Sequence, residues 1–141
     1  ELCSAQFRAI LGTSPSPTFH DVIQALGLLH GAGDTHDGLP LADAVAYRDD
    51  IFTKIQSRMD GPSGFAYKVM HDVSRGVYAR GGMSAELQKQ LSALGFDERF
   101  KNSLAESRFM YPKAHGVLYA RYALLFLYFR LHYPESFQKR M

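Results

Sequence analysis

Hydrophobic residues recur along the chain at the three- and four-residue spacing of helices, and no segment alternates in the manner of a strand. Residues 18–29 illustrate the pattern, because Thr18 and Asp21 form a capping-box-like start and apolar residues follow at core spacing. Further helices are predicted over residues 47–59, 62–77, 84–95, 97–108 and 112–132, and Asp97 is the predicted cap of the helix 97–108. Glycine and proline clusters separate the segments at 12–17, 31–40, 61–64 and 81–82. The sequence therefore predicts an all-α fold, with one compact domain over residues 1–141 and about six to eight helices.

The last of these helices contains the most apolar stretch, residues 117–131, in which 13 of 15 residues are apolar. It is short for a bilayer span of about 20 residues, and Arg121 and Arg130 interrupt it. Its apolar side chains point in nearly every direction, which is typical of a helix surrounded by other helices. We therefore predict that this C-terminal helix is buried at the centre of the fold. On that prediction, Leu124→Ala lowers stability by about 2 to 5 kcal/mol.

Composition excludes several classes of protein. Ten Phe and eight Tyr in 141 residues supply a core, so the chain is not intrinsically disordered. Cys3 is the single cysteine, which excludes an intramolecular disulfide framework. The first residues lack the basic and apolar regions of a signal peptide, so we expect a cytoplasmic protein with no membrane partner. The missing initiator Met favours an excised fragment.

Charge is unevenly distributed although the net charge is only +2. Residues 99–141 carry eight Lys and Arg against two Glu. Such a local excess of positive charge attracts phosphate groups. The sequence therefore favours a phosphate-containing ligand at this end of the chain.

The predicted helix 62–77 has a basic stripe opposite its apolar face. Lys68, His71 and Arg75 lie one above another at helical spacing. They are either phosphate contacts or part of a solvated face in which Lys68 pairs with Asp72.

The start of the helix 112–132 is a second candidate anion site. Pro112 suits the first position of a helix, whose free N–H groups attract anions, and Lys113 and His115 add a positive charge and a donor. A solvated helix end is the alternative.

The acidic residues and the residues of metal-binding type give little evidence for a metal site. Asp49 and Asp50 complement a helix dipole, and as neighbours on a helix they diverge by 100°, which disfavours Mg²⁺ binding. Residues 30–37 contain His and Asp, but their spacing matches no standard zinc or calcium site. No catalytic residue and no bound metal are predicted for this chain.

Several collinear motifs resemble one family. Residues 109–115, Phe-Met-Tyr-Pro-Lys-Ala-His, are similar to the Phe-Pro-Lys-Ala-His stretch before a long helix in bacterial DNA polymerase III alpha subunits, especially the PolC type. Residues 132–134 match the His-x-Pro end of that helix. Upstream, residues 27–31 resemble the family's Gly-Leu-Ser-His-Gly, residues 48–51 match its Arg-Asp-Asp-Ile, and residues 66–70 resemble its Ala-Phe-Lys-Ile-Met.

In that family this region is the fingers subdomain, an all-helical element that closes over the incoming deoxynucleoside triphosphate and the templating base. The resemblance implies that residues at the matching motif positions bind the nucleotide. These residues are Arg48, Lys68, Lys113 and His115. Possible phosphate or DNA contacts are His30, His71 and Arg75. The family's Mg²⁺-binding aspartates belong to the palm, so Mg²⁺ is expected only together with that domain. Implied partners are primer–template DNA, the triphosphate, and the palm and other polymerase domains.

The sequence departs from the family's pattern in three places. Leu29 replaces a serine, the loop 32–39 is shortened and lacks an Asn-Ala-Gln element, and residues 74–76 match the family's basic Gly-Lys-Gly turn only in part. These departures leave an alternative, a non-catalytic helical interaction module or a divergent DNA-binding domain derived from such a fingers domain.

Overall fold

The computed structural model describes residues 4–30 and 40–138. This part of the chain contains nine α-helices, one 3-10 turn and no strand, which confirms the all-α prediction. The elements are α1 Ala5–Leu11, α2 Phe19–Leu29, the turn Leu41–Asp43, α3 Arg48–Gln56, α4 Gly64–Ser74, α5 Val77–Gly81, α6 Ala85–Ala93, α7 Glu98–Glu106, α8 Lys113–His132 and α9 Pro134–Gln138. The number of helices exceeds the predicted six to eight because short helices such as α5 and α9 follow the longer ones directly.

Side-chain caps start several helices where the sequence predicts them. Thr18 and Asp21 form a reciprocal capping box, in which Thr18 N–H donates to Asp21 Oδ2 at 2.8 Å and Asp21 N–H donates to Thr18 Oγ1 at 3.2 Å. The hydrogen bond from the Thr18 backbone is the main cause that lowers the pKa of Asp21. Asp97 caps α7 in the same way, accepting from the N–H of Phe100.

The predicted helix over residues 62–77 is divided in two. Gly76 adopts the left-handed conformation, with φ 64°, and separates α4 from α5. A Cβ at Gly76 would also collide with the backbone carbonyl of Arg108. The glycine therefore ends α4 and allows the segment after α7 to pass close to this turn.

The hydrophobic core lies among α2, α3, α4, α6 and α7. Its largest fully buried apolar side chains are Leu26, Ile51, Ile55, Val69, Val73, Leu91 and Leu104. The helix α3 packs along α4, and α2 packs against α8. The apolar face predicted for the helix 62–77 is confirmed at Ala66, Val69 and Val73, all of which are buried. Val77 follows the same spacing but lies in α5, beyond the turn at Gly76, and is 40% exposed, so its place on that face is wrong.

The helix α8 is not the buried centre of the fold, so that prediction is wrong. Of its 20 residues, all of which are described, Gly116 and Ala120 are buried, whereas Leu124 is 40% and Leu131 75% exposed. An apolar pattern around the whole helix indicates that the helix needs covering, but it does not indicate that this chain supplies the cover. None of the described helices combines the length and apolar character that a membrane span requires.

Candidate functional site

The first turns of α3 and α8 meet, although about 64 positions separate them in the sequence. The N–H of Arg48 donates to the carbonyl oxygen of Tyr111 at 3.2 Å. The N–H of Lys113 donates to Asp49 Oδ2 at 2.7 Å. His115 lies in the same first turn of α8. Three of the four predicted nucleotide-binding residues, Arg48, Lys113 and His115, are thus carried by the two first turns that meet, and we call this place the α3–α8 junction.

Asp50 is the acceptor at the centre of the junction. Its Oδ1 accepts from Lys113 Nζ at 2.8 Å, and its Oδ2 accepts from the N–H groups of Ala46 at 3.1 Å and Tyr47 at 3.0 Å. The carboxylate is buried, whereas the Lys113 side chain is 26% exposed. A buried carboxylate therefore compensates the charge of Lys113. Arg48 is exposed, so its positive charge faces solvent at the junction.

Tyr47 fills the space between α2 and α8. Its hydroxyl donates to the carbonyl oxygen of Ile23 at 2.7 Å, and its ring lies where Gly27 and Gly116 have no side chain. A Cβ at Gly27 would lie 2.6 Å from the ring, and one at Gly116 would overlap the hydroxyl oxygen. Burial, and then the charge of Asp50, raise the pKa of Tyr47, so the hydroxyl stays protonated and keeps this bond.

Next to Tyr47 lies a small aromatic cavity of about 180 Å³. His30 and His115 both line it, together with Tyr111 and Tyr119. The ring of Tyr111 stacks on His115 with centroids 5.1 Å apart, and His30 meets Tyr111 and Tyr119 edge-on at 6.1 and 6.2 Å. His30 Nδ1 lies 2.7 Å from the carbonyl oxygen of Leu26.

The three tyrosines that line this cavity, Tyr47, Tyr111 and Tyr119, are absent from the predicted site residues. Tyr111 stands inside the family-like motif, and Tyr119 follows it by two helical turns, so their position in the sequence was the available signal.

The basic stripe lies on α4 and its C-cap. Lys68 Nζ lies 2.6 Å from Asp72 Oδ2, and the Tyr78 hydroxyl donates to the same oxygen at 3.1 Å. His71 Nδ1 lies 3.5 Å from Asp72 Oδ1. Burial tends to raise the pKa of Asp72, but the hydrogen bonds from Lys68, Tyr78 and His71 together hold it below its ordinary value. The predicted Lys68–Asp72 pair is therefore present. We predict that Lys68 shares one positively charged surface with Arg48, Lys113 and His115, and this stays a prediction.

Within the described part of the chain, no three His, Cys, Asp or Glu side chains come together as a metal site. Asp49 and Asp50 are both engaged by Lys113. Residues 31–37, which with His30 make up the possible metal-ligand loop, lie outside the described residues, as does the shortened loop 32–39.

Comparison with known proteins shows sequence similarity to DNA polymerase III of the PolC type. No protein-family model matches the chain. DNA polymerase III PolC-type from Thermotoga petrophila is 29% identical over 139 residues, and its counterpart from Thermotoga maritima is 28% identical over 139 residues. Each alignment covers 92% of this chain and 10% of the relative. The PolC-type enzyme of Caldanaerobacter subterraneus subsp. tengcongensis is 31% identical over 138 residues, which cover 91% of this chain and 9% of the relative.

The chain is homologous to a segment of PolC-type polymerases. It spans about a tenth of the length of the curated relatives that it matches. The resemblance drawn from the collinear motifs is confirmed at the level of PolC-type homology.

Proposed function

We propose that this chain is the fingers domain of a PolC-type replicative DNA polymerase and contacts the incoming triphosphate and primer–template DNA. The observation that supports the proposal is the α3–α8 junction. It unites two of the family-like motifs, Arg-Asp-Asp-Ile and Tyr-Pro-Lys-Ala-His, in a chain that is similar to PolC-type enzymes over about 92% of its length. A triphosphate needs donors that lie close together, and the two first turns offer them.

Arg48 is the principal phosphate ligand in this proposal. Its side chain is exposed, and a guanidinium group forms strong bidentate bonds with phosphate oxygens. His115 adds a donor at the same junction, and its stacking on Tyr111 fixes its ring. Lys113 and Lys68 contribute charge after exchanging a carboxylate partner, Asp50 or Asp72, for the phosphate.

Phosphoryl transfer itself takes place outside this chain. Metal ions in such reactions neutralise the developing charge between the phosphates and the attacking oxygen. The adjacent acids Asp49 and Asp50 do not fit that task, because neighbours on a helix point about 100° apart. The proposal therefore assigns Mg²⁺ to the palm, with the palm and other polymerase domains as partners. His30, His71 and Arg75 are left as further phosphate or DNA contacts.

The test is a titration of fluorescently labelled primer–template and of a labelled triphosphate at two salt concentrations. We expect micromolar or weaker affinity that falls as salt rises, because phosphate contacts release counterions. Arg48→Ala should weaken binding about tenfold, and Lys68→Ala less, since Asp72 already holds Lys68. Arg8→Ala and Lys89→Ala, which remove exposed cations of α1 and α6, are the matched controls.

Two results would contradict the proposal. Metal-dependent primer extension by the purified chain would place the chemistry within it. Binding that is absent, or that does not change with salt or with Arg48→Ala in a folded protein, would favour the alternative of a non-catalytic interaction module. That alternative draws support from the carboxylate partners of Lys68 and Lys113.

A further inference from the structure

The C-terminal half of α8 and the short helix α9 enclose an open apolar groove of about 670 Å³. Its main lining residues are Tyr122, Leu125, Phe126, Phe129 and Tyr133. Four of these five lie on α8 and Tyr133 directly follows it, with spacings of three, one, three and four residues that form one continuous stripe. We call this surface the α8 groove.

The α8 groove is part of a more extensive exposed apolar surface, since ten apolar residues of α8 are each at least 39% exposed. Its four aromatic side chains are each 46 to 59% exposed, which amounts to about 400 Å² if each offers about 200 Å². The largest apolar patch of a typical monomer is about 300 to 600 Å² in total. Leu118, which is about half exposed, lies one helical turn before Tyr122 and extends the stripe beyond the groove.

Charge distinguishes between the possible occupants. The helix α8 contains Lys113, Arg121 and Arg130 but no acidic residue. Asp50 compensates Lys113, whereas Arg121 and Arg130 are exposed beside the groove. The helix α9 adds one acidic residue, Glu135, so the two arginines leave the surroundings of the groove net positive. A second copy of the chain would therefore bring like charges together around an apolar contact, which is unfavourable. A partner whose apolar surface carries carboxylates would pair with both arginines.

We propose that the α8 groove is the docking surface for an apolar and carboxylate-bearing face of another domain in a PolC-type polymerase. The inference rests on the proposed function for the identity of the partner. The relatives are about ten times as long as this chain, so their further domains are tethered to the matching segment. Tethering raises the effective concentration of such a face, so modest apolar complementarity is sufficient for docking.

The test uses the isolated chain and a chimera in which this chain replaces the matching segment of Thermotoga maritima PolC. Amide hydrogen exchange is measured for residues 121–133 in both proteins. We expect exchange to be at least tenfold slower in the chimera. The variant Leu125→Gln with Phe129→Gln should abolish that protection, and Arg121→Glu with Arg130→Glu should reduce it.

The matched control is Phe19→Gln with Val77→Gln, which changes one aromatic and one aliphatic side chain of similar exposure on other helices. This control should leave exchange in α8 unchanged. Equal exchange in the isolated chain and the chimera would overturn the proposal.

The isolated chain gives a second test that does not depend on the folding of the chimera. Sedimentation should find a monomer, and the Leu125→Gln, Phe129→Gln variant should unfold at the same urea concentration as the parent. A dimer that this variant dissociates would make a second copy the occupant, and a large drop in the midpoint would mean that the chain itself covers the groove. Neither readout involves nucleotide, so a failed Arg48 titration and a failed docking test remain distinguishable.

Discussion

The two halves of α8 differ in how they contact the rest of the chain, since both buried residues of the helix lie in its first half. In the first half, Gly116 and Ala120 are small and buried, and Lys113 is held by carboxylates of α3. In the second half, the side chains are large, apolar and about half exposed. Small residues thus mark where helices of this chain approach one another closely, and large ones mark a surface that the described residues leave about half exposed.

Asp50→Asn should have the largest effect on the first half. It removes the charge that compensates Lys113 and replaces an acceptor of the Ala46 and Tyr47 N–H groups. We expect stability to fall by about 3 kcal/mol, as for other buried pairs that lose one partner. Urea unfolding measures the change.

Asp49→Asn is the matched control for that experiment. Asp49 is exposed and accepts a hydrogen bond from the N–H of Lys113. Its substitution should therefore lower the free energy of unfolding by about 1 kcal/mol. Equal losses in the two variants would mean that the buried carboxylate does not organise the junction.

Gly116→Ala comes next. The new Cβ would overlap the hydroxyl of Tyr47, and the ring cannot retreat because Gly27 lies against it and Ile23 accepts its hydrogen bond. We expect a loss of about 2 to 3 kcal/mol from overpacking, measured by thermal or urea unfolding.

Gly81→Ala provides the control, since a Cβ at the end of α5 meets nothing within 4 Å. It should leave stability unchanged or raise it by up to about 1 kcal/mol. If Gly116→Ala behaved in the same way, α8 would not pack against Tyr47 as described.

The smallest effect is expected in the second half, for Leu124→Ala. Because Leu124 is 40% exposed, truncation opens no closed cavity, and stability should change by less than about 1 kcal/mol. Leu26→Ala, at a fully buried position of α2, is the comparison and should lower stability by about 2 to 5 kcal/mol. A loss of that size at Leu124 would restore the prediction of a buried helix.

Local signals in the sequence predicted local structure well. The capping box of Thr18 and Asp21, the cap at Asp97 and the apolar face of α4 depend on residues within a few positions of one another, and all three are present. The left-handed turn at Gly76 was missed, because the apolar spacing of the helix continues through it to Val77.

Long-range contacts explain why the site was predicted only in part. The acids Asp49 and Asp50 were interpreted as partners of a helix dipole, whereas both bind Lys113, more than 60 positions away. No pattern within one helix reveals such a pairing. The wrong prediction for α8 has a similar origin, since its apolar residues specify a need for cover and not the molecule that provides it.

The bond between Lys113 and Asp50 has a thermodynamic consequence for any anion that binds at the junction. A phosphate that takes the ammonium group from Asp50 must also weaken the attachment of α8 to α3, since the same bond joins the two helices. The affinity for the ligand and the attachment of α8 to α3 are then linked, and the linkage is reciprocal. Any change that strengthens the attachment of the helices weakens ligand binding by the same free energy. An anion at this point therefore acts on the relative position of two helices as well as on a charge.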